Sequence, residues 1–177
     1  ISIRQAVPCI LHLENWCGKK FLKMLFLEGY DKNMKSEKER EQLLVDIELC
    51  VNTQILGTIR KPSNWRLATC SDGNNRTAIK DVTLPNSHCR KFIKAYKLLT
   101  ALCIKSEGLA AWDEHFELWN EVMETARKRD YFEPEDVQDF QEAADAWYLV
   151  WHNLHGRDGI TNYIHMISSG HIAWLLY

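Results

Sequence analysis

Residues 109–126 have the sequence LAAWDEHFELWNEVMETA, and this stretch indicates the fold class. Its apolar residues recur at steps of three and four positions, which places them on one face of an α-helix. The members of this stripe are Leu109, Trp112, Phe116, Trp119, Val122, Met123 and Ala126. Acidic side chains occupy many of the positions between them, as they do on the solvent side of a core-facing helix. The pattern predicts a long amphipathic helix.

The next periodic segment begins at Pro134, a residue that the first turn of a helix tolerates, and runs to Gly156. Its apolar positions are Val137, Phe140, Ala144, Trp147, Tyr148 and Trp151. Its carboxylates, from Glu133 to Asp145, alternate with these rings in the way that a solvated helix face requires. We therefore interpret them as surface residues and not as metal ligands.

The same periodicity extends outward in both directions and predicts four more helices. Their ranges are 10–28, 36–57, 87–107 and 160–177. Gly29, Gly57 and Gly108 are expected to end the first three of them. Ser36 and Glu39 have the spacing of a capping box, which favours a helix start at this point.

Residues 58–86 are unlike the rest, because turn-forming residues dominate them. Extended pieces are predicted at 65–69 and 78–83, with a small hairpin around Asp72 and Gly73. The chain is thus predicted to be mainly α, with about six helices in one compact domain over 1–177 and an irregular, hairpin-containing insert at 58–86.

Composition and charge limit the functions that can be considered. The chain has 177 residues, of which 46% are hydrophobic and 26% charged, an ordinary globular composition. Its formal charge is -2, from 22 basic and 24 acidic residues. A free-standing nucleic-acid binder usually carries a basic excess, because phosphate contacts supply most of its affinity. Any DNA contact must therefore come from a local patch.

The best local patch lies on the predicted helix at 87–107. It consists of Arg90, Lys91, Lys94 and Lys97, interleaved with Phe92 and Tyr96. Arg66, Arg76 and Lys80 of the insert could extend it. These cations would supply salt-sensitive phosphate contacts. An ordinary solvated helix face explains the same pattern equally well.

Cysteine usage and the ends of the chain bear on its compartment. Six cysteines stand at positions 9, 17, 50, 70, 89 and 103, and no two form a Cys-x-x-Cys pair. Four of them fall in apolar helical patterns, which favours buried thiols in a reducing compartment. No apolar run approaches the length of a membrane span. The chain is expected to be nuclear or cytoplasmic, without a membrane partner, and a fragment of a larger protein, since it begins at Ile1 without a Met.

Histidines near the end of the chain are candidate metal ligands. His165 and His171 could form half of a tetrahedral zinc site, and His152 and His155 could join them. With all four, a small metalloenzyme is one hypothesis; ordinary polar positions are another. Motifs for nucleophilic, nucleotide-dependent or dinucleotide chemistry are absent from the sequence. For Glu14 and Asn15, which lie in an apolar run, a buried capping or bridging role is favoured over catalysis.

Several short blocks together resemble the catalytic subunit of the V(D)J recombinase and its relatives, the Transib transposases. The segment Ile160-Thr161-Asn162-Tyr163, an apolar residue and His165, followed by His171, is similar to the histidine-bearing segment of that family. Upstream blocks resemble it in the same order. They are Val7-Pro8 with His12, Glu14 and Gly18; Ser36 to Arg40; and Asn86 with Arg90-Lys91-Phe92.

The resemblance implies a specific place in a larger protein. In that family a mostly helical insertion with a zinc site interrupts a ribonuclease-H-like core that carries three acidic metal ligands. His165 and His171 would be the two zinc-binding histidines, and the matching cysteines would lie outside this chain. The zinc would be structural. No catalytic residue would fall within 1–177.

Two functions therefore remain open from the sequence. The first is a helical insertion domain of a DNA transposase or recombinase, which contacts DNA and is covered by the catalytic core or by a second copy. The second is a non-catalytic helical protein-interaction module, anchored by Trp112, Trp119, Trp147 and Trp151, although core packing would explain these rings as well.

Overall fold

A computed structural model describes residues 10–71, 77–84, 86–127 and 132–171. Within these ranges the chain forms seven α-helices and one two-stranded antiparallel sheet, which confirms the mainly-α prediction. The helices are α1 (Ile10–Leu27), α2 (Glu37–Cys50), α3 (Asn86–Lys94), α4 (Tyr96–Cys103), α5 (Ser106–Ala126), α6 (Pro134–His155) and α7 (Asn162–Ser168). The strands are β1 (Ala68–Ser71) and β2 (Thr77–Asp81). π-Helical turns follow α1 (Glu28–Asn33) and α2 (Val51–Ile55), and a 3-10 turn follows α6 (Gly156–Gly159).

The chain divides into two compact units. The central unit comprises Gly18–Ala110, and the terminal unit comprises Ile1–Cys17 together with Ala111–Tyr177. Both α1 and α5 contribute residues to each unit. The expectation of a single domain over 1–177 stays a prediction.

The start of α2 follows the predicted capping box. The backbone N–H of Glu39 donates to Ser36 Oγ at 3.2 Å, and the backbone N–H of Ser36 donates to Glu39 Oε2 at 3.0 Å. Two backbone donors that the helix cannot satisfy internally are thus satisfied by these side chains. The sequence signal at this helix start is confirmed.

α1 ends at Leu27, next to its predicted end, but Gly29 is not the stop that the sequence suggested. The chain continues through it in π-helical turns to Asn33. Gly29 is buried, and a Cβ at this position would lie 2.9 Å from Cys103 Cβ and 3.0 Å from Cys103 O. The glycine is therefore required by the close approach of α4 and not by a helix stop.

The predicted helix at 87–107 is divided in two, and its predicted end is also wrong. The division is at Ala95, where the backbone N–H is shared between the carbonyls of Lys91 and Phe92, both at 3.1 Å. The chain then becomes extended at Ile104, and α5 begins at Ser106. Gly108 consequently lies in the first turn of α5 and does not terminate a helix.

The insert contains the predicted pair of strands. Ser71 pairs with Thr77 and Cys70 with Ala78, while the turn expected at Asp72 and Gly73 lies outside the described residues. Trp65 anchors the insert, because its indole N–H donates to Thr83 O at 3.0 Å and its ring meets Phe92 edge-on.

The last predicted helix, 160–177, is described only to residue 171, and within this part it is interrupted by a turn at Ser169 and Gly170. Its regular part, α7, covers Asn162–Ser168, with Thr161 as the N-cap that accepts from the backbone N–H of Ile164 at 3.3 Å. Residues 172–177 lie outside the described residues.

The core of the terminal unit is a cluster of rings from α5 and α6, as their stripes predict. Its members are Trp112, His115, Phe116, Trp119, Trp147 and Trp151, each at most 1% exposed. Trp119 and Trp147 lie 5.0 Å apart between centroids, and the Trp147 indole N–H donates to His115 Nδ1 at 3.2 Å. The ring that accepts this bond is fully buried, so His115 is held in its neutral form.

This burial makes the terminal unit sensitive to acid. Desolvation, and then the nearby His155, hold the pKa of His115 well below its usual range. Below about pH 6.5 the unfolded state therefore binds a proton that the folded state excludes. As the pH is lowered through this range, the free energy of unfolding decreases by up to about 1.4 kcal/mol for each pH unit. The substitution His115→Gln, which keeps an acceptor for Trp147, should flatten this decline in urea unfolding measured from pH 7 to 5. The exposed His12→Gln is the control; equal slopes in the two variants would contradict the assignment.

Candidate nucleic-acid interface

The four predicted DNA-contacting cations lie on the exposed side of α3 and α4. Arg90, Lys91, Lys94 and Lys97 are all exposed. The opposite side is packed into the central unit through residues such as Cys89, Phe92, Ile93, Tyr96 and Leu99. The burial of these apolar positions fixes the orientation of the helices, which presents the cations to solvent as one stripe.

The charge of this stripe is not neutralised along its own helices. No acidic residue occurs between Asp81 and Glu107. Lys91 and Lys94 form no ion pair with any residue in the described part of the chain. Lys97 Nζ lies 5.7 Å from the centroid of the Tyr96 ring, which holds that ammonium near the helix surface. Lys91 and Lys94, at the middle of the stripe, are thus exposed and unneutralised by any residue of the described ranges.

A close contact with α1 positions α3. At Gly18 a Cβ would lie 2.4 Å from Cys89 Sγ, so only glycine permits this approach of the two helices. Directly after this contact α1 carries Lys19, Lys20 and Lys23, and Lys23 Nζ donates to the carbonyl of Lys80 at 2.8 Å. These lysines add to the basic character of the central unit.

The near-neutral total charge conceals a strong segregation between the units. The central unit contains 17 Lys and Arg against 10 Asp and Glu, a formal charge of +7. The terminal unit contains 5 against 14, a formal charge of -9. All four candidate cations belong to the basic unit. The lack of a basic excess over the whole chain therefore does not argue against a DNA contact by the central unit.

Two of the three suggested extensions of the patch can be placed. Arg66 forms an ion pair with Glu48 at 2.5 Å, and the same carboxylate accepts the backbone N–H of Leu67 at 2.9 Å, so Arg66 is engaged in holding the insert. Lys80 is exposed on β2. Arg76 lies outside the described residues.

The two predicted zinc ligands lie near each other at the end of α7. Both histidines are exposed, and their ring centroids are 5.5 Å apart. Two imidazoles that share a tetrahedral zinc at about 2.0–2.1 Å have centroids about 5 Å apart, so this separation fits a common metal. His165 Nδ1 lies 2.9 Å from Ser169 Oγ, which orients the ring.

The other two histidines are not gathered with this pair into a ligand cluster. The His155 ring belongs to the aromatic core, with its centroid 4.2 Å from Trp151 and 5.1 Å from Trp112. His152 is exposed beside Tyr148. Across the described ranges no group of three or more His, Cys, Asp or Glu is arranged to hold a metal ion. The arrangement of these described residues therefore gives no support to the hypothesis of a metalloenzyme with four histidine ligands.

Glu14 has the bridging position favoured for it from sequence. It is 2% exposed, and Arg127 Nη2 donates to its Oε1 in an ion pair. The sequence signal was a carboxylate inside an apolar run; its partner, more than a hundred residues away, carried no signal of its own. His12 on the same helix is exposed, and no role follows for it.

The tryptophans proposed as partner anchors are core residues. Trp112, Trp119, Trp147 and Trp151 are each at most 1% exposed, so they present no surface to a partner. The interaction-module hypothesis therefore loses its proposed anchors, and the near-neutral charge of the chain is its remaining support. Among the described cysteines, Cys17, Cys50, Cys89 and Cys103 are buried and Cys70 is exposed.

Comparisons with known proteins identify no relative: no protein family, curated protein or solved structure matches this chain. Among the described helices, none is both long enough and apolar enough to cross a membrane.

Proposed function

We propose that this chain is a helical insertion segment of a transposase- or recombinase-like DNA-processing protein, and that it contacts DNA through the basic stripe of α3 and α4. The observation that carries the proposal is the placement of Arg90, Lys91, Lys94 and Lys97 on one exposed face of a unit with a charge of +7. Strand cleavage and joining belong to the ribonuclease-H-like core of the parent protein, and this segment frames that core.

The chemistry of the stripe favours phosphate recognition over base readout. Three of its four cations are lysines, which act as point charges towards phosphate oxygens and release counterions on binding. Amide side chains that would read base edges are absent from this stripe. The segment is therefore expected to hold the DNA backbone with little sequence preference.

We further propose a structural zinc at His165 and His171, completed by ligands from outside this chain. The proposal is supported by their 5.5 Å ring separation and by the contact of His165 with Ser169. Bound zinc would tie the end of α7 to the parent protein and supply no Lewis acid to the reaction. Calorimetric titration with Zn²⁺ should detect weak binding that His165→Ala and His171→Ala abolish and His152→Ala leaves intact. Equal binding by all three variants would refute the assignment.

Salt-dependent DNA binding tests the main proposal. The chain should bind a labelled duplex in fluorescence anisotropy, with an affinity that falls steeply as salt is raised. Charge reversal at Lys91 and Lys94 should weaken binding by at least about tenfold and reduce the slope of log K against log salt by about 2, since each phosphate contact contributes about 0.9. Both side chains are exposed, so the variant should fold normally.

The matched control reverses Arg60 and Lys61, two exposed cations of the same unit that lie outside the stripe. This variant has the same net charge as the first. Equal losses in the two variants would show that only the total charge matters, and the absence of binding at low salt would remove the DNA role altogether.

A further inference from the structure

The exposed face of α2 and α4 is apolar in a way that the rest of the described surface is not. Val45 and Leu49 lie one turn apart on α2 and are 58% and 59% exposed, and Leu98 on α4 is 41% exposed. Only three other large apolar side chains in the described ranges are as exposed, at Trp16, Ile59 and Leu149. A cluster of such residues is typical of a protein–protein contact.

A groove runs between the two helices on this face. Its volume is about 300 Å³, and Leu49 and Cys50 line one side while Leu98, Ala101 and Leu102 line the other. Leu49 and Leu98 project at its rim, so the face offers both projecting side chains and a recess. Apolar residues spaced by one turn on two adjacent helices are suited to pack against another helix pair.

The charges that border the groove have opposite signs on its two sides. The α2 side is net acidic: Asp46 lines the groove and Glu41 is exposed, while Lys38, one turn before Glu41, is its one exposed cation. The other side carries exposed Lys94 at the end of α3, Lys97 on α4 and Lys105 just after α4, and no acidic residue lies between them. The face thus contains an acidic edge and a basic edge around one apolar centre.

We infer that a second copy of this chain docks on this face in a two-fold symmetric dimer, with α2 of each copy against α4 of the other. A two-fold interface uses the same patch on both partners, so that patch must be complementary to itself. A two-fold rotation places the acidic edge of each copy opposite the basic edge of its partner while Val45, Leu49 and Leu98 pack across the axis. This charge pattern is what selects a second copy as the occupant.

Sedimentation equilibrium of the full chain, without DNA, tests the dimer. Self-association should be seen at micromolar to submillimolar concentrations. Leu49→Gln and Leu98→Gln should each raise the dimer dissociation constant by about a hundredfold, because each substitution occurs twice in a symmetric interface. Ile59→Gln is the matched control, since Ile59 is 86% exposed in the same unit but off this face.

Complementary charge reversal tests the symmetry directly. A variant with Glu41→Lys and Asp46→Lys has two basic edges, and a variant with Lys94→Glu and Lys97→Glu has two acidic edges. Each should be monomeric alone, whereas an equimolar mixture should form a mixed dimer, because both of its edge contacts then join opposite charges. The readout is mass in the absence of DNA, because Lys94 and Lys97 would face the partner's carboxylates in this dimer and DNA would compete for them.

Three results would overturn the inference. The first is a wild-type chain that stays monomeric over the whole concentration range, which would assign the face to a different protein. The second is a dimer that Leu49→Gln and Leu98→Gln weaken no more than Ile59→Gln. The third is a mixture of the charge variants that remains monomeric. Far-ultraviolet circular dichroism on every variant confirms that each is folded.

Discussion

Trp147→Ala is expected to lower the free energy of unfolding by about 3–5 kcal/mol, as large an effect as core substitutions usually have. The side chain is fully buried, packs 5.0 Å from Trp119 between ring centroids, and donates its N–H to His115. Its removal leaves a cavity between α5 and α6 and deprives His115 of a buried hydrogen bond.

Urea unfolding followed by circular dichroism measures this loss. Leu149→Ala is the control, since Leu149 lies two residues away on α6 but is 62% exposed, and it should cost less than about 1 kcal/mol. Trp147→Phe retains most of the volume and should fall between the two. If Trp147→Ala were no more destabilising than Leu149→Ala, the ring cluster would not be the core of this unit.

Removing Arg127 is expected to cost more than removing the charge of Glu14, although the two form one ion pair. Glu14 is 2% exposed, whereas the side chain of Arg127 is 25% exposed. In Arg127→Met a buried carboxylate loses its cation, which should cost about 2–4 kcal/mol. In Glu14→Gln the arginine can turn towards water, and the cost should be about 1 kcal/mol.

A double-mutant cycle separates the coupling from the individual costs. The double variant should be no less stable than Arg127→Met alone, because the buried carboxylate that lost the Arg127 cation is then absent. Measurement by thermal or urea unfolding at pH 7 is sufficient. Equal costs for the two single variants, with additive behaviour in the double variant, would show that this pair does not couple α1 to the end of α5.

The helices that bury wide aromatic stripes could be predicted from the sequence, because their periodicity records directly which side chains face the core. α5 and α6 begin within about three residues of their predicted starts for this reason. The capping box at Ser36 could be predicted in the same way, because all the atoms that form it belong to the four residues from Ser36 to Glu39.

Features that depend on distant parts of the chain could not be read in this way. Gly29 looked like a helix stop, but it is there because Cys103 approaches it, and Gly108 lies inside α5. The division at Ala95 has no local composition signal. Charge segregation was hidden as well, because it becomes visible only when Gly18–Ala110 is recognised as one unit.

For the candidate site, exposure of the four cations was a matter of helix phase and so was open to prediction. The proximity of His165 and His171 followed from their short separation in sequence, whereas the withdrawal of His155 into the aromatic core depends on Trp112, a residue of another helix. The pairing of Glu14 with Arg127 could not be predicted either, because the two residues are 113 positions apart in the sequence.

The most direct test of the DNA contact is a two-dimensional ¹H–¹⁵N NMR titration of the chain with a short duplex at low salt. The backbone amides from Arg90 to Lys97 should shift progressively, and those of α6 in the acidic terminal unit should not. Shifts confined to the terminal unit, or no shifts at all at low salt, would contradict a DNA-contacting role for the stripe of α3 and α4.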